Sequence, residues 1–323
     1  METVKRRDFL RAAALASGGL ALSPSMLSAA ANPAAAPLTG IKTRPEVQNA
    51  WSFHFFSKHL QFLDYAGAAK ACAEAGFDGA DLTVRPRGHV LPEKVEKDLP
   101  DAVKAFEEAG LKIEMMVSGI TDAEDPLTEK VLGTASQLGI RYYRMGYYSY
   151  EKGLSIPENL DRIKGKMEGL ARLNEKHRIH GAYQNHAGSR FGAPVWDVWE
   201  VIRDMDPEWT GCQYDIRHAT AEGNRSWPLG LELLQKHIRC LVIKDFRWGE
   251  QDGKSREINV PVGEGIVDFP GYFKKLKAYE LRCPITIHLE YPMFPRDDMS
   301  LEEKYGTAVE LMKKDLAATK SYL

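Results

Sequence analysis

The chain has 323 residues, with 43 basic and 45 acidic side chains and a formal net charge of −2. No basic excess is available to hold a phosphate backbone, which argues against nucleic acid as a partner. The four cysteines, Cys72, Cys212, Cys240 and Cys283, are far apart and lack C-x-x-C spacing, so they read as small apolar core residues rather than as bridges or ligands.

The first residues read as an address. Lys5-Arg6-Arg7-Asp8-Phe9-Leu10-Arg11 is a twin-arginine pattern, a weakly apolar stretch runs from Ala12 to Leu27, and Ala29-Ala30-Ala31 offers the small residues a signal peptidase needs. The stretch is too short and too Ala-rich for a spanning helix, which needs about 20 strongly apolar residues. Residues 1–31 are therefore expected to be a twin-arginine signal peptide and residues 32–43, rich in Ala and Pro, a flexible linker. Residues 44–323 are expected to be one soluble domain, exported folded to the periplasm or beyond. No other run is apolar and long enough to span a bilayer, so no membrane contact is expected once the signal is removed.

From residue 44 onward, short apolar runs alternate with amphipathic segments, the pattern of β-α units around a parallel sheet. Eight strands are predicted: Trp51–Phe56, Gly79–Val84, Lys112–Val117, Arg141–Met145, Gly181–Asn185, Gly211–Asp215, Arg239–Lys244 and Ile285–Glu290. Helical patterns between them include Asp101–Ala109, Pro157–His177, Pro194–Arg203 and Leu301–Leu316. Ala75-Gly76-Phe77, Ala109-Gly110-Leu111 and Leu138-Gly139-Ile140 each close a helical run and open an apolar one, as glycine does where a helix end needs positive φ. A doubly wound sheet would carry a Gly-rich phosphate loop after its first strand; here that position reads Phe55-Phe56-Ser57-Lys58-His59. A single-domain (β/α)8 TIM barrel is the predicted fold, of a size such barrels commonly have, about 250 residues.

Barrel enzymes place their sites at the C-terminal ends of the strands. The polar residues expected on that rim are His54, Asp81, Arg85, His89, Arg144, Tyr148, Gln184, Asn185, His186, Asp215, His218, Lys244, Asp245, His288 and Glu290. Each has a bland reading: a strand-end Asp as a helix cap or loop anchor, His186 and His288 as satisfied buried imidazoles, Lys244-Asp245 as a surface pair, Arg85 and Arg144 as partners of internal carboxylates. Their convergence on one rim favours a polar pocket, since isolated charges in a strand are costly unless paired. Lys244, His218, His288 and Glu290 are the candidates for proton transfer. His54, Arg85, His89, Arg144, Tyr148 and Trp248 are the candidates for substrate contact. The stretch from Asp245 to Phe269 is long for a barrel loop, where about 2–6 residues is usual, and is expected to fold over the rim as a lid or substrate wall.

Tyr183-Gln184-Asn185-His186-Ala187-Gly188, Asp215-Ile216-Arg217-His218, Lys244-Asp245 followed by Pro261-Val262-Gly263-Glu264-Gly265, and Leu289-Glu290-Tyr291 together resemble the strand ends of the xylose-isomerase-like barrels, a family of sugar isomerases and epimerases. The Asp81 to Val90 stretch is similar to a secreted subgroup of it. The fifth- and sixth-strand motifs also resemble inosose dehydratases. The resemblance implies one divalent metal (Mn, Co, Zn or Mg), held by Glu, Asp, His and Glu from strands five to eight. Asp215 and Glu290 match that set, whereas Gln184 stands at the first Glu position and Val242 at the His position. The resemblance therefore implies Gln184, Asp215 and Glu290 as ligands, and His186, which shares a strand face with Gln184, is expected to supply the missing imidazole; in the competing reading Lys244 is the pocket's cation instead of a metal.

The implied chemistry is proton abstraction beside the carbonyl of a small carbohydrate, followed by isomerisation, epimerisation or β-elimination. A non-catalytic periplasmic sugar-binding barrel with a decayed metal site is the alternative. Homo-oligomerisation is left open.

Overall fold

The computed structural model describes residues 51–323; the expected signal peptide, the linker and residues 44–50 lie outside the described residues. Eight parallel strands close into a barrel: β1 (Phe53–Phe56), β2 (Gly79–Val84), β3 (Lys112–Ser118), β4 (Tyr142–Arg144), β5 (His180–Gln184), β6 (Thr210–Asp215), β7 (Ile238–Ile243) and β10 (Ile285–Ile287). Two further strands, β8 (Asp245–Gln251) and β9 (Lys254–Val260), pair antiparallel as a separate hairpin. The helices are α1 (Tyr65–Ala75), α2 (Val95–Glu108), α3 (Pro126–Gln137), α4 (Ile156–His177), α5 (Val195–Ile202), α6 (Ile216–Gly223), α7 (Trp227–Leu234), α8 (Phe269–Ala278) and α9 (Leu301–Lys320). No described helix is long and apolar enough to cross a membrane.

All eight expected barrel strands are present, the last shortened to end at Ile287. β2, β5 and β6 are buried at every position, because helices cover a parallel sheet outside and side chains fill the barrel within. The four cysteines are buried and free, as their spacing predicted. Gly76 closes α1 with φ of 84°, and Gly110 and Gly139 follow α2 and α3 at 75° and 81°, the positive φ that the helix-end punctuation anticipated. Ser155 with Glu158 and Ser300 with Glu303 form capping boxes that start α4 and α9, each cap contributing about 1 kcal/mol. Helix α2 begins earlier than predicted, at Val95, and accommodates Pro100 near its start.

Two close backbone approaches shape the barrel interior. A Cβ on Gly79 would lie 1.7 Å from the carbonyl oxygen of Lys112, and one on Gly211 would lie 2.0 Å from that of His237. Register shifts follow each, between Gly79 and Asp81 in β2 and between Cys212 and Gln213 in β6. Such irregularities re-aim the side chains beyond them; Asp81 and Asp215 are the ones that follow here.

The stretch expected to form a lid or substrate wall contains a β-hairpin. Its seven-residue strands pair from Asp245 with Val260 to Gln251 with Lys254. The sequence around Gly253 supplies the turn, with Asp252 and Gly253 both at positive φ, as hairpin turns require.

Candidate active site

The pocket is built where β5, β6 and β7 end. Helix α6 starts immediately after β6, so Asp215 is both the last strand residue and the helix N-cap. Its Oδ1 accepts from the backbone N–H of His218 at 3.0 Å. The bland reading of this residue as a cap is correct, yet only one oxygen is used that way. Oδ2 accepts from Gln184 Nε2 at 2.7 Å and lies 3.0 Å from Lys244 Nζ. The cap also folds the His218 ring back over the strand end, 2.8 Å from Lys244 Nζ through its Nε2. Asp215, His218 and Lys244 are all buried, so Lys244-Asp245 is not a surface pair.

The other ring nitrogen of His218 decides the protonation pattern. Arg217 Nη1 donates to Nδ1 at 3.1 Å, and a guanidinium can only donate. Nδ1 is then the acceptor and Nε2 carries the hydrogen, directed at Lys244 Nζ. That arrangement fits an uncharged amine, which accepts from His218 while donating to Asp215. Burial pushes Lys244 down, with Asp215 and Glu290 pulling it back. Burial, the Lys244 charge and His186 hold His218 well below the usual imidazole range.

Gln184 is oriented from both ends. Its Oε1 accepts from Arg144 at 2.9 Å and from the Tyr147 hydroxyl at 2.7 Å, which turns its amide nitrogen toward Asp215. His186 lies against His218, ring centroids 3.8 Å apart, and edges onto Tyr147 at 5.2 Å. Its Nδ1 donates to the Ala187 carbonyl at 2.8 Å, leaving Nε2 as a lone pair. On the far side His288 stacks on Phe56 at 4.2 Å, with Nδ1 3.8 Å from Glu290 Oε1. Burial lowers His288 to about 4, and neither of its ring nitrogens has a hydrogen-bond partner among the described residues. Glu290 pairs with Lys58 at 3.1 Å. A cavity of about 360 Å³ opens beside it, lined by Lys58, His59, Phe62, Glu290, Met293 and Phe294.

Several expected contacts lie elsewhere. His54 is fully buried near the N-terminal ends of the strands, against Ser52 at 3.0 Å and Glu114 at 3.5 Å, remote from the rim. His89 spends both ring nitrogens on the turn after β1, facing Ser57 Oγ at 3.1 Å and the Leu60 carbonyl at 3.3 Å. Tyr148 is buried, donates to the Thr121 carbonyl at 2.8 Å and stacks on Tyr183; it packs the wall. Asp245 is a loop anchor, accepting from the backbone N–H groups of Phe246, Gly263, Gly265 and Val267.

Arg85 and Arg144 do reach the pocket, each about the Phe56 ring at 5.9 Å. Trp248 is half exposed on the hairpin face that carries Phe246, 5.6 Å from that ring, and Phe246 packs under the Arg217 guanidinium at 4.5 Å. Asn259, opposite Phe246, bonds Arg217 at 3.0 Å and the Glu290 carbonyl at 3.3 Å, tying the hairpin base to the site. Phe56, Lys58 and Arg190 were not singled out in the sequence. Strand alternation from His54 would have found Phe56; Arg190 lies in a loop, where no periodicity points.

The side chains present do not fit the expected divalent metal. Gln184 offers no charge, and its oxygen is already held by Arg144 and Tyr147. Both Asp215 oxygens accept N–H groups, one of them from Lys244. Val242 is apolar and buried, and His186, expected to replace the missing imidazole, is packed against His218 with the rings tilted by 35°. Among the described residues no group of three or more His, Cys, Asp or Glu is arranged to hold a metal ion. Lys244 stands where the expected ligands would have converged.

Residues 69–315 match the family described as xylose isomerase-like TIM barrel, and the chain belongs to that family. No curated protein sequence matches it. Among solved structures it is similar to a D-allulose 3-epimerase from Methylomonas sp. in complex with D-allulose, at 16% identity and TM-score 0.62 over 85% of this chain and 98% of that one. It is similar to the IOLI protein with a bound zinc atom, at 17% identity and TM-score 0.63 over 84% and 97%. It also resembles a 3-keto-D-glucoside 4-epimerase from E. coli, at 12% identity and TM-score 0.57 over 81% and 97%. At these identities the likeness establishes the shared barrel.

Proposed function

We propose that this barrel is a carbohydrate isomerase or epimerase, or a β-eliminating lyase, that removes the proton beside a sugar carbonyl. The observation that carries the reading is Lys244 Nζ at the strand ends, 3.0 Å from Asp215 Oδ2 and 2.8 Å from His218 Nε2. The family membership and the sugar epimerases among its structural neighbours support it. An uncharged amine is a competent proton acceptor at neutral pH, and burial is the usual way to obtain one. On accepting the proton it becomes an ammonium beside Asp215, which stabilises it. Neutral His288 turns Nδ1 toward Glu290 Oε1 at 3.8 Å and leaves Nε2 without a partner, so Nε2 is the atom it offers to substrate. Delivery of a proton to the opposite face of the same carbon gives epimerisation; delivery to the former carbonyl carbon, with the hydroxyl proton passing between the two oxygens, gives isomerisation. Loss of a β-hydroxyl or glycosyl group gives elimination.

No step here is routed through a metal, because the donor set does not fit one. The Gln184 and Val242 departures also favour a second reading, a sugar-binding barrel without turnover. The two separate by proton exchange in heavy water: deuterium entering a bound keto-sugar is expected for the enzyme. Tight binding without exchange across a panel of ketoses and 3-keto-glycosides would establish the binding protein instead. The twin-arginine pattern supports a site of action in the periplasm or outside the cell.

A further inference from the structure

Three guanidinium groups gather on one wall of the pocket without an anion between them. The Arg85 and Arg144 groups each lie 5.9 Å from the Phe56 ring centroid. Those of Arg144 and Arg190 each lie 5.0 Å from the Tyr147 ring centroid. Two aromatic rings thus bridge three cations in series. Among the described residues none of the three makes an ion pair within 4.0 Å. Arg144 donates only to neutral oxygens, those of Gln184 and Tyr147. Nε of Arg85 and Nε of Arg144 are buried without a partner. The nearby carboxylates make no ion pair with them: Asp215 accepts from Gln184, the His218 N–H and Lys244, Glu290 pairs with Lys58, and Asp81 is buried in the barrel interior, where the Arg144 charge acts on it only from beyond 4.0 Å.

Like charges held together without a counter-ion repel, and a half-buried guanidinium with free N–H groups is poorly solvated. An incoming anion with several acceptor oxygens relieves both costs, and planar guanidinium forks suit carboxylate and phosphate oxygens. We infer that the substrate is an acidic sugar, whose carboxylate or phosphate group seats against Arg85, Arg144 and Arg190 while its carbonyl faces Lys244. This rests on reading the pocket as a sugar site. The spacing suits it: Arg144 is linked to Lys244 through just Gln184 and Asp215, a path that one sugar can span. The arginine wall lies at the β2, β4 and β5 side, while proton transfer lies at β6 and β7.

The test is calorimetric titration of the whole protein at low salt with D-glucuronate, D-glucose 6-phosphate, inorganic phosphate and D-glucose. At least one acidic probe is expected to bind about tenfold or more tightly than glucose, the scale of charge-assisted hydrogen bonds. Preference for glucuronate assigns a carboxylate, and preference for the phosphate probes assigns a phosphate. The R85Q/R190Q double variant should lose that advantage and R85K/R190K should recover part of it; Arg190 is exposed, so folding is checked independently on R190Q alone. Equal affinity for glucose and the acids, unchanged affinity of the double variant, or no binding of any acidic probe at millimolar concentration would overturn the inference. Deuterium exchange measured on the same samples keeps the two claims apart. Arginine-dependent binding without exchange defeats the proposed reaction alone, and exchange into neutral sugars that ignores both arginines defeats the acidic-sugar inference alone.

Discussion

Arg217 Nη1 donates to His218 Nδ1 at 3.1 Å, with the guanidinium resting on the Phe246 ring at 4.5 Å. The bond fixes the His218 tautomer and places a permanent positive charge near Lys244. Arg217→Met should therefore let the Lys244 pKa rise, since Arg217 is among the charges that lower it. If Lys244 acts as the uncharged base, the acid limb of the kcat profile moves to higher pH, and the rate at neutral pH falls. A profile that drops uniformly without moving would assign Arg217 a purely structural role.

Lys244→Met removes the proposed proton acceptor and leaves Asp215 buried beside His218 and Gln184. Deuterium exchange should fall by about 10²–10⁴, the usual contribution of a positioned acid or base. Chelators should leave the wild-type rate unchanged. Inhibition by a chelator, reversed by one added metal, would show that a metal supplies the cation after all.

Trp248, half exposed on the hairpin face whose Phe246 is buried against Arg217, is expected to contact substrate. Trp248→Ala should raise KM by about threefold to tenfold, the scale of a stacking contact, with kcat little changed. Deletion of Gln251–Arg256, which are exposed, should leave the fold intact and affect KM in the same direction. Unaltered steady-state kinetics in both would mean that the hairpin takes no part in substrate binding.

Asp81 gives a pH-dependent stability test. Burial raises its carboxyl to about 6, with the Arg144 and His54 charges opposing. Because the folded pKa is above the unfolded value, this group favours folding most at low pH, and the benefit is lost as pH rises through about 6. Asp81→Asn removes the cost of ionising it. The variant should gain on the order of 2–3 kcal/mol at pH 7.5 and nothing below about pH 4. Denaturant melts at the two pH values decide it; a loss at pH 7.5 would mean that Asp81 is needed as the counter-ion of Arg144.

The leader reading predicts that replacing Arg6 and Arg7 by Lys retains the full-length chain in the cytoplasm. Fractionation of cells expressing both forms measures this, and equal export of the two would remove the twin-arginine proposal.

The sequence by itself determined the barrel. Period, helix-end glycines and eight apolar runs are local signals, and each is satisfied by a strand or helix that the surrounding residues also favour. It also placed Gln184, His186, Asp215, His218, Lys244 and Glu290 on one rim, because strand ends in a closed barrel converge whatever the loops do. Tertiary structure decided which of them touch. His186 turned onto His218 instead of meeting Asp215 and Glu290, and Lys244 took the position between the β6 and β7 ends. Glu290 was drawn to Lys58, and His54 was left at the opposite end of its strand. The hairpin could not be read as such, since Phe246 and Trp248 alternate like a strand only once Asn259 and Glu257 are known to lie across from them. Nor could the arginine wall: Arg85, Arg144 and Arg190 come from three segments, and only closure of the barrel around Phe56 and Tyr147 brings their charges together.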